Sequence, residues 1–265
     1  MLRTRLLTAA IGLPVALAIV LWAPPHVFTA FIAVLTALAL YELISMTQAS
    51  GVEAALIVAI AVFWSAALLT FAYMDVGKVP AAIVFVSGLI MLVVMVQVAR
   101  RGAENVPRDG WFLFAGALWV GGFFPYLAMT RNRPGGIAEI ILIFLMVVAS
   151  DSGAYFTGRM LGRHKLAPRV SPNKTIEGAI GGLAACVVAA LILRPWLEPD
   201  WSWLAMALIA AGVSVLAQAG DLVNSAYKRV AGVKDSGWIF PGHGGLLDRV
   251  CGLLFAVAFA YYCTS

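Results

Sequence analysis

Nine apolar runs, each about 20 residues long, constrain the fold of this 265-residue sequence more than any other feature. A helix needs roughly 20 mostly apolar residues to cross the hydrocarbon core of a bilayer. The runs are Leu6–Ala23, Val27–Met46, Val52–Met74, Val79–Ala99, Trp111–Met129, Ile137–Thr157, Ile176–Leu193, Trp201–Val223 and Leu246–Cys263. The sequence therefore predicts an all-α, polytopic integral membrane protein with about nine transmembrane helices.

The composition supports lipid as the solvent. Hydrophobic residues make up 62% of the chain and charged residues 12%, against about 45–50% and about 25% in soluble domains. These values exclude soluble, disordered and disulfide-rich classes. Cys186, Cys251 and Cys263 lie in apolar runs and are expected to be buried free thiols. A cleaved signal peptide is disfavoured, because the first run is long and ends in the bulky pair Leu21-Trp22.

The distribution of lysine and arginine predicts the orientation. With the N-terminus in the cytoplasm, 13 of the 18 basic residues fall in cytoplasmic segments and only 4 in outer segments. The remaining one, Arg249, lies within the ninth run. The C-terminus is then expected outside the cell.

The chain is expected to form a single membrane-embedded domain over residues 1–265, with two unlike halves. Residues 1–147 predict a hydrophobic scaffold, whose spans are almost free of charge apart from Glu42 and the near-end residues Glu53 and Glu139. Ionisable groups enter the helices in residues 148–265, which predict the catalytic half.

Four acids of the second half, each from a different span, are predicted to lie at similar depth on the cytoplasmic side: Asp151, Glu177, Asp221 and Asp248. Ionisable groups within a bilayer are costly and usually functional. Carboxylate oxygens suit a hard cation such as Mg²⁺, which also binds through substrate phosphates. The alternative is ordinary solvation of helix ends, and Glu177 is in addition favoured by the macrodipole in a first helical turn.

Basic and small residues accompany these acids. Asp221, Ser225, Lys228 and Arg229 are spaced to share one helical face. Lys234 follows in a loop, and the turn 241–245, which contains His243, leads into Asp248 and Arg249. Carboxylates for a metal with cations and a glycine-rich turn for phosphate indicate phosphoryl or nucleotidyl transfer. The turn alone could equally be a plain reversal between helices.

The loop before the seventh run has a similar character. Lys174 and Thr175 stand at a predicted helix N-terminus, where phosphate binds readily. Gly178 and Gly182 form a small-xxx-small face typical of helix packing. The arginines further upstream in the loop are also explained by the positive-inside rule alone.

Together these motifs resemble the signature of the phosphatidate cytidylyltransferase family, also called CDP-diacylglycerol synthases. The resemblance covers about Asp151–Arg249 and rests on the segments Asp151–Gly158, Ser171–Gly178, Gly220–Leu222, Ser225–Arg229, Lys234–Gly237 and Pro241–Arg249. It implies a multi-pass enzyme of the bacterial inner membrane, with its active site facing the cytoplasm. Such an enzyme transfers CMP from CTP to phosphatidic acid and releases pyrophosphate.

The resemblance also implies cofactors and partners. Mg²⁺ and a second cation are expected at the metal carboxylates Asp221 and Asp248, with Asp151 as a third candidate. CTP, phosphatidic acid and membrane lipids are the expected partners, the expected assembly is a homodimer, and no nucleic-acid partner is expected.

The candidate residues divide into two functional groups. The predicted catalytic residues are Lys174, Asp221, Lys228, Arg229 and Asp248. The predicted substrate-binding residues are Ser171, Thr175, Glu177, Ser225, Lys234, Asp235, His243, Gly244, Gly245 and Arg249.

Two positions depart from the family pattern. Asn224 stands where the family usually has Glu, and Cys251 where it usually has Asp. Each lies three residues after a predicted metal aspartate, so the site is expected to be less negative than is usual, with an effect on metal affinity.

Two other functions remain open at the level of sequence. An ion-coupled secondary transporter would use intramembrane acids, but near the midplane and between inverted repeats. A CTP-dependent lipid kinase would share the cation and phosphate features but would act on an alcohol.

Overall fold

A computed structural model describes residues 2–47, 51–73, 90, 96–98, 100, 102–103, 110–198, 200–239 and 244–264. The helices within these residues are α1 (Leu2–Trp22), α2 (Pro25–Thr47), α3 (Gly51–Tyr73), α4 (Gly110–Phe123), α5 (Pro125–Asn132), α6 (Gly136–Leu161), α7 (Ile176–Leu197), α8 (Trp203–Ala231) and α9 (Leu247–Cys263). Two short strands, β1 (Lys165–Ala167) and β2 (Ser171–Thr175), separate α6 from α7.

Four of these helices are long and apolar enough to cross a membrane, namely Pro25–Met46, Gly136–Leu161, Ile176–Leu197 and Trp203–Ala231. The prediction of a helical membrane protein is confirmed in this form. The predicted fourth span, Val79–Ala99, lies almost entirely outside the described residues.

The predicted fifth span is interrupted. α4 ends at Phe123 and the short α5 begins at Pro125, because proline has no N–H to donate to the carbonyl four residues earlier. That carbonyl, of Gly121, instead accepts a hydrogen bond from the Ser65 hydroxyl at 2.8 Å. A side chain of α3 thus satisfies the backbone group that the break leaves open.

The segment between α6 and α7 is a β-hairpin, whereas the sequence predicted a loop in an all-α protein. β1 and β2 pair antiparallel, with Lys165 opposite Thr175 and Ala167 opposite Ser171. The strands are too short and too polar for an alternating hydrophobic pattern to mark them. The buried side chain of Val170 lies at the turn.

A seam of small residues brings α6 and α7 into backbone contact. A Cβ atom on Gly178 would lie 2.8 Å from the carbonyl oxygen of Ala154, and one on Gly182 would lie 2.7 Å from that of Ser150. The small-xxx-small face predicted from Gly178 and Gly182 therefore serves helix packing.

Helix direction gives the bundle two chemically distinct ends. Contacts join the C-terminal parts of α2 and α8 to the start of α9 and to β2, which leads into α7, at one end, called here the site end. The opposite end, called the distal end, joins the C-terminus of α1, the α5–α6 turn and the C-terminus of α9.

The distal end is closed by two arginines. Arg131 is 6% exposed, donates from Nε to the carbonyl of Val20 at 3.1 Å, and lies over the ring of Phe28. Arg133 forms an ion pair with Glu139, and Glu139 accepts from the Thr264 hydroxyl at 2.7 Å. Cations at the ends of helices in this way satisfy carbonyls that have no partner within the helix.

The cysteines follow the prediction in part. Cys186 and Cys251 are buried free thiols, as expected, but Cys263 is exposed. It is the last residue of α9, where the packing of the bundle ends.

Candidate functional site

The Asp248 carboxylate is surrounded by donors from two other segments. Its Oδ1 accepts from Lys228 Nζ at 2.5 Å and from Asn224 Nδ2 at 3.1 Å. Its Oδ2 accepts from the Ser236 N–H at 2.8 Å, the Ser236 hydroxyl at 3.0 Å and the Gly245 N–H at 3.1 Å. The side chain is 8% exposed. Asp248 therefore ties α8 to the segment that connects α8 with α9.

Lys174 and Asp221 form a second, more open pair. Lys174 Nζ lies 2.5 Å from Asp221 Oδ2, and the two side chains are 26% and 45% exposed. Asp151 interacts electrostatically with both residues. This pair joins β2 to α8 and leaves much of the Asp221 carboxylate accessible.

The two departures from the family pattern each face the aspartate of the other helix. Asn224 follows Asp221 on α8, yet its amide donates to Asp248. Cys251 follows Asp248 on α9, yet its thiol lies 3.9 Å from Asp221 Oδ1. Each departure therefore contacts the aspartate of the other helix, in addition to lying one turn from the aspartate of its own helix.

Several predicted substrate-binding residues shape the hairpin. Glu177 accepts from the Arg163 N–H at 3.0 Å and from His164 Nδ1 at 2.6 Å. The Thr175 hydroxyl caps α7 by accepting from the Gly178 N–H at 3.1 Å. Both side chains hold the hairpin against the start of α7.

Arg229 reaches the same hairpin from α8. Its Nε donates to the carbonyl of Val170 at 3.1 Å. Together with the Lys174–Asp221 pair, this contact fixes the hairpin beside the C-terminal part of α8.

The other predicted residues occupy the same end. Ser171 begins β2, and Ser225 lies one turn after Asp221 on α8. Lys234, Asp235 and Arg249 are exposed, Gly245 is buried, and Gly244 has a φ of 82° that favours glycine. His243 lies outside the described residues.

Glu42 belongs to this end of the bundle, although the sequence placed it in the scaffold. It is 1% exposed and accepts from the backbone N–H groups of Leu246 at 2.7 Å and Leu247 at 2.9 Å. The signal in the sequence was its position as the only charged side chain of the second apolar run.

The acids differ in their fit to a cation. In the described part of the chain, no group of three or more His, Cys, Asp or Glu side chains is arranged to hold a metal. Asp221, half exposed and with Asp151 nearby, suits a cation that keeps waters and binds substrate phosphates. Both oxygens of Asp248 are already used by protein donors.

Asn224 offers one more oxygen. Its Oδ1 is buried and has no hydrogen-bond partner among the described residues. A buried amide oxygen without a partner is unusual and is compatible with an additional ligand at this position.

Comparisons with known proteins agree with these features. The sequence profile of the cytidylyltransferase family matches residues 3–265. A phosphatidate cytidylyltransferase of Bacillus subtilis is 35% identical over 240 residues, which cover 89% of this chain and 87% of the relative. The chain therefore belongs to the cytidylyltransferase family, and the resemblance noted in the motifs is confirmed.

Two further relatives match a shorter part. The phosphatidate cytidylyltransferase of Staphylococcus saprophyticus is 42% identical over 149 residues, which are 56% of each chain. That of Brucella suis is 45% identical over 148 residues, which are 56% of this chain and 54% of the relative. These two alignments span about half the length of each relative.

Proposed function

We propose that this membrane protein is a nucleotidyltransferase that transfers CMP from CTP to phosphatidic acid, giving CDP-diacylglycerol and pyrophosphate. The observation that carries the proposal is the pair of lysine–aspartate contacts at the site end. Lys174–Asp221 and Lys228–Asp248 bring β2, α8 and α9 together. The names of the related proteins supply the reaction.

In the proposed reaction, a phosphate oxygen of phosphatidic acid attacks the α-phosphorus of CTP. The new P–O bond forms as the bond from the α-phosphorus to the bridging oxygen breaks, and the electron pair leaves with pyrophosphate. A phosphate is already ionised near neutral pH, so its attack needs no strong general base. The protein's task is to hold two anions close together and to offset their charge.

The lysines are suited to that task. Lys174 is on a strand edge and partly exposed, so it can exchange its bond with Asp221 for one with a phosphate. Lys228 is more enclosed and is held by Asp248. We assign Lys174 to the triphosphate of CTP, and Lys228 to charge that develops at the α-phosphorus.

Mg²⁺ is part of the proposal, with Asp221 and Asp151 as the residues that would hold it. When bound, it would neutralise charge on the phosphates. Asp248 contributes to the site through its contacts with Lys228, Ser236 and Gly245. The second cation proposed from the family resemblance has Asn224 Oδ1 as an available oxygen.

The proposal also covers the setting of the enzyme. The site end would face the cytoplasm of a bacterial inner membrane, with about nine spans in the full chain and the N-terminus inside. The excess of basic residues in the proposed cytoplasmic segments supports this orientation. A homodimer is the proposed assembly.

The test uses purified protein in detergent micelles with phosphatidic acid, Mg²⁺ and CTP labelled separately on the cytidine or on the γ-phosphate. The expected product is a lipid that carries the cytidine label, with the γ label released as pyrophosphate. In a parallel reaction with diacylglycerol in place of phosphatidic acid, transfer of the γ label to the lipid hydroxyl would instead indicate a kinase. Ion flux in liposomes without either transfer would indicate a transporter.

A further inference from the structure

We infer that Glu42 is a positioning residue of the active site: its buried carboxylate holds Ser236 and the start of α9 in the arrangement that aligns Asp248 and Lys228. This inference rests on the proposed function. It assigns a role in the reaction to a residue of the half that the sequence predicted to be scaffold.

The contacts of Glu42 concentrate on one short stretch of chain. Oε1 accepts from the Leu246 N–H at 2.7 Å, and Oε2 accepts from the Leu247 N–H at 2.9 Å. The Ser236 hydroxyl lies 3.2 Å from Oε2. All three donors are uncharged, and two of them are backbone amides at the start of α9, where a negative charge is favoured by the helix dipole.

Ser236 connects this carboxylate to the one in the site. Its hydroxyl oxygen lies 3.2 Å from Glu42 Oε2 and 3.0 Å from Asp248 Oδ2. The hydroxyl has a single proton, so it can donate to only one of the two carboxylates at a time. The Ser236 N–H continues to donate to Asp248 at 2.8 Å. Glu42, Ser236 and Asp248 therefore form one connected network, which extends to Lys228.

Two glycines provide the space for Glu42. A Cβ atom on Gly237 would lie 2.6 Å from Glu42 Oε1, and one on Gly245 would lie 2.5 Å from Oε2. Neither distance is compatible with a side chain, so both positions are restricted to glycine while Glu42 keeps its place. The sequence had assigned Gly245 to phosphate binding, but its backbone N–H is engaged by Asp248.

The consequence for catalysis is indirect. Glu42 is 1% exposed and contacts Ser236 and the start of α9 instead of the accessible Lys174–Asp221 pair. Loss of its charge would let the start of α9 shift, and Asp248 and Lys228 would shift with it. A displacement of about 1 Å at reacting groups can cost on the order of 10²-fold in rate.

The test compares Glu42→Gln with Glu139→Gln in the full-length protein. Glu139 is a matched control, since it is also a buried glutamate (3% exposed) that accepts hydrogen bonds, but at the distal end. Both substitutions keep the side-chain volume and remove one buried charge. Kinetic constants for CTP and for phosphatidic acid are measured for each variant, together with the thermal midpoint and hydrogen exchange of the peptide that contains residues 244–250.

We expect Glu42→Gln to lower kcat by about 10- to 100-fold, with a smaller change in the KM for CTP, and to accelerate exchange in the 244–250 peptide. Glu139→Gln should leave kcat and that exchange unchanged while it lowers the thermal midpoint. Equal losses of kcat in the two variants, or an unchanged kcat in Glu42→Gln, would overturn the inference.

Two additions keep the test decisive. If Glu42→Gln does not purify, Ser236→Ala breaks the link between the two carboxylates and leaves Glu42 in place. The inference requires this variant to have a lower kcat and faster exchange in the 244–250 peptide. A normal kcat in Ser236→Ala overturns the inference. A wild-type protein that forms no cytidine-labelled lipid refutes the proposed function itself. Wild-type activity with matching losses in Glu42→Gln and Glu139→Gln refutes only the role of Glu42.

Discussion

Both ends of this helical bundle pair basic residues with acids, but at the site end one of the pairs is open to water. At the distal end, Arg133 and Glu139 are 19% and 4% exposed, and Thr264 occupies the second oxygen of the glutamate. At the site end, Lys174 and Asp221 are 26% and 45% exposed. Removal of either partner of the buried pair leaves an unpaired charge within the bundle, which is strongly destabilising. The residues of the open pair can instead bind a ligand at a small cost in free energy, because exposed ion pairs are weak.

The comparison shows that charge within an apolar bundle does not by itself mark a catalytic site. Arg131 and Arg133 satisfy backbone carbonyls and close the distal end. Lys174 and Lys228 are held by carboxylates whose positions depend on other segments of the chain. Lys228 and Asp248 are 17% and 8% exposed and thus about as enclosed as the distal pair, so the distinction between structural and functional charge lies in the identity of the partners and not in accessibility alone.

Asp248→Asn should have the largest effect, because it combines a functional and a structural loss. The neutral amide cannot accept from all five donors, and Lys228 keeps a charge without its partner. We expect turnover to be almost abolished and the unfolding free energy to fall by about 3 kcal/mol, while the protein still inserts. Product formation and thermal unfolding in detergent measure the two losses. A normal rate at saturating Mg²⁺ would contradict the role of Asp248.

Asp221→Asn should separate the two kinds of loss. Its side chain is 45% exposed, so the thermal midpoint should hardly change, whereas kcat should fall by about 10³-fold. Substrate conversion and thermal unfolding are measured on the same preparation. If stability fell as far as in Asp248→Asn, the distinction between the open and the enclosed pair would be wrong.

Lys174→Ala should raise the KM for CTP by about tenfold, which corresponds to the loss of one charge-assisted hydrogen bond. The KM for phosphatidic acid should change less, since Lys174 lies on the hairpin outside the helices. Steady-state kinetics with each substrate varied in turn check this. Arg229 contacts the same hairpin, so Arg229→Ala should also raise the KM for CTP more than the KM for phosphatidic acid. An effect confined to the lipid substrate would reverse the assignment.

Arg133→Gln should act on stability alone. Among the described residues, removal of the guanidinium leaves the buried Glu139 with the Thr264 hydroxyl as its remaining side-chain donor, which should cost about 2 kcal/mol of unfolding free energy. Both KM values and kcat should match the wild type at a temperature well below the midpoint. A change in kcat would show that the two ends are coupled.

Cys251→Asp should give the smallest effect, a severalfold lower Mg²⁺ concentration for half-maximal activity. The new carboxylate would approach Asp221, from which the thiol is now 3.9 Å away, and would add negative charge beside the proposed cation. Asn224→Glu should not help, because it removes the amide that donates to Asp248. Mg²⁺ titrations of activity and of the thermal midpoint test both substitutions, and identical curves for wild type and Cys251→Asp would contradict the proposal.

Much of the fold followed from hydropathy, since α2, α6, α7 and α8 lie where apolar runs predict them. The break at Pro125 was harder to predict, because a proline inside an apolar run can either kink a helix or end it. The outcome depends on a partner for the free carbonyl, here the Ser65 hydroxyl. The hairpin was missed because its strands are short and polar, and because its turn is held by Arg229, which lies 59 residues after Val170.

The site was predictable as a set of residues but not as a set of contacts. Helical spacing correctly placed Asp221 and Lys228 on one face, yet it could not show that Lys228 pairs with Asp248, while Lys174 pairs with Asp221. Asn224 contacts Asp248 and Cys251 contacts Asp221 because of how α8 and α9 are rotated against each other, which spacing along one helix does not show. The role of Glu42 could not be predicted because its partners are distant in sequence: Leu246 lies 204 residues later in the chain.

The seam of glycines between α6 and α7 makes the site adjustable by residues that carry no functional group. Gly182 leaves no room for a methyl group against Ser150, the residue immediately before Asp151, and α7 begins directly after the strand that carries Lys174. A single added carbon in this seam would move α7, which follows the strand that carries Lys174, away from α6, which carries Asp151. The spacing of the charges therefore depends on packing atoms as well as on the charges themselves, and a substitution of Gly182 is expected to impair activity although glycine has no functional group.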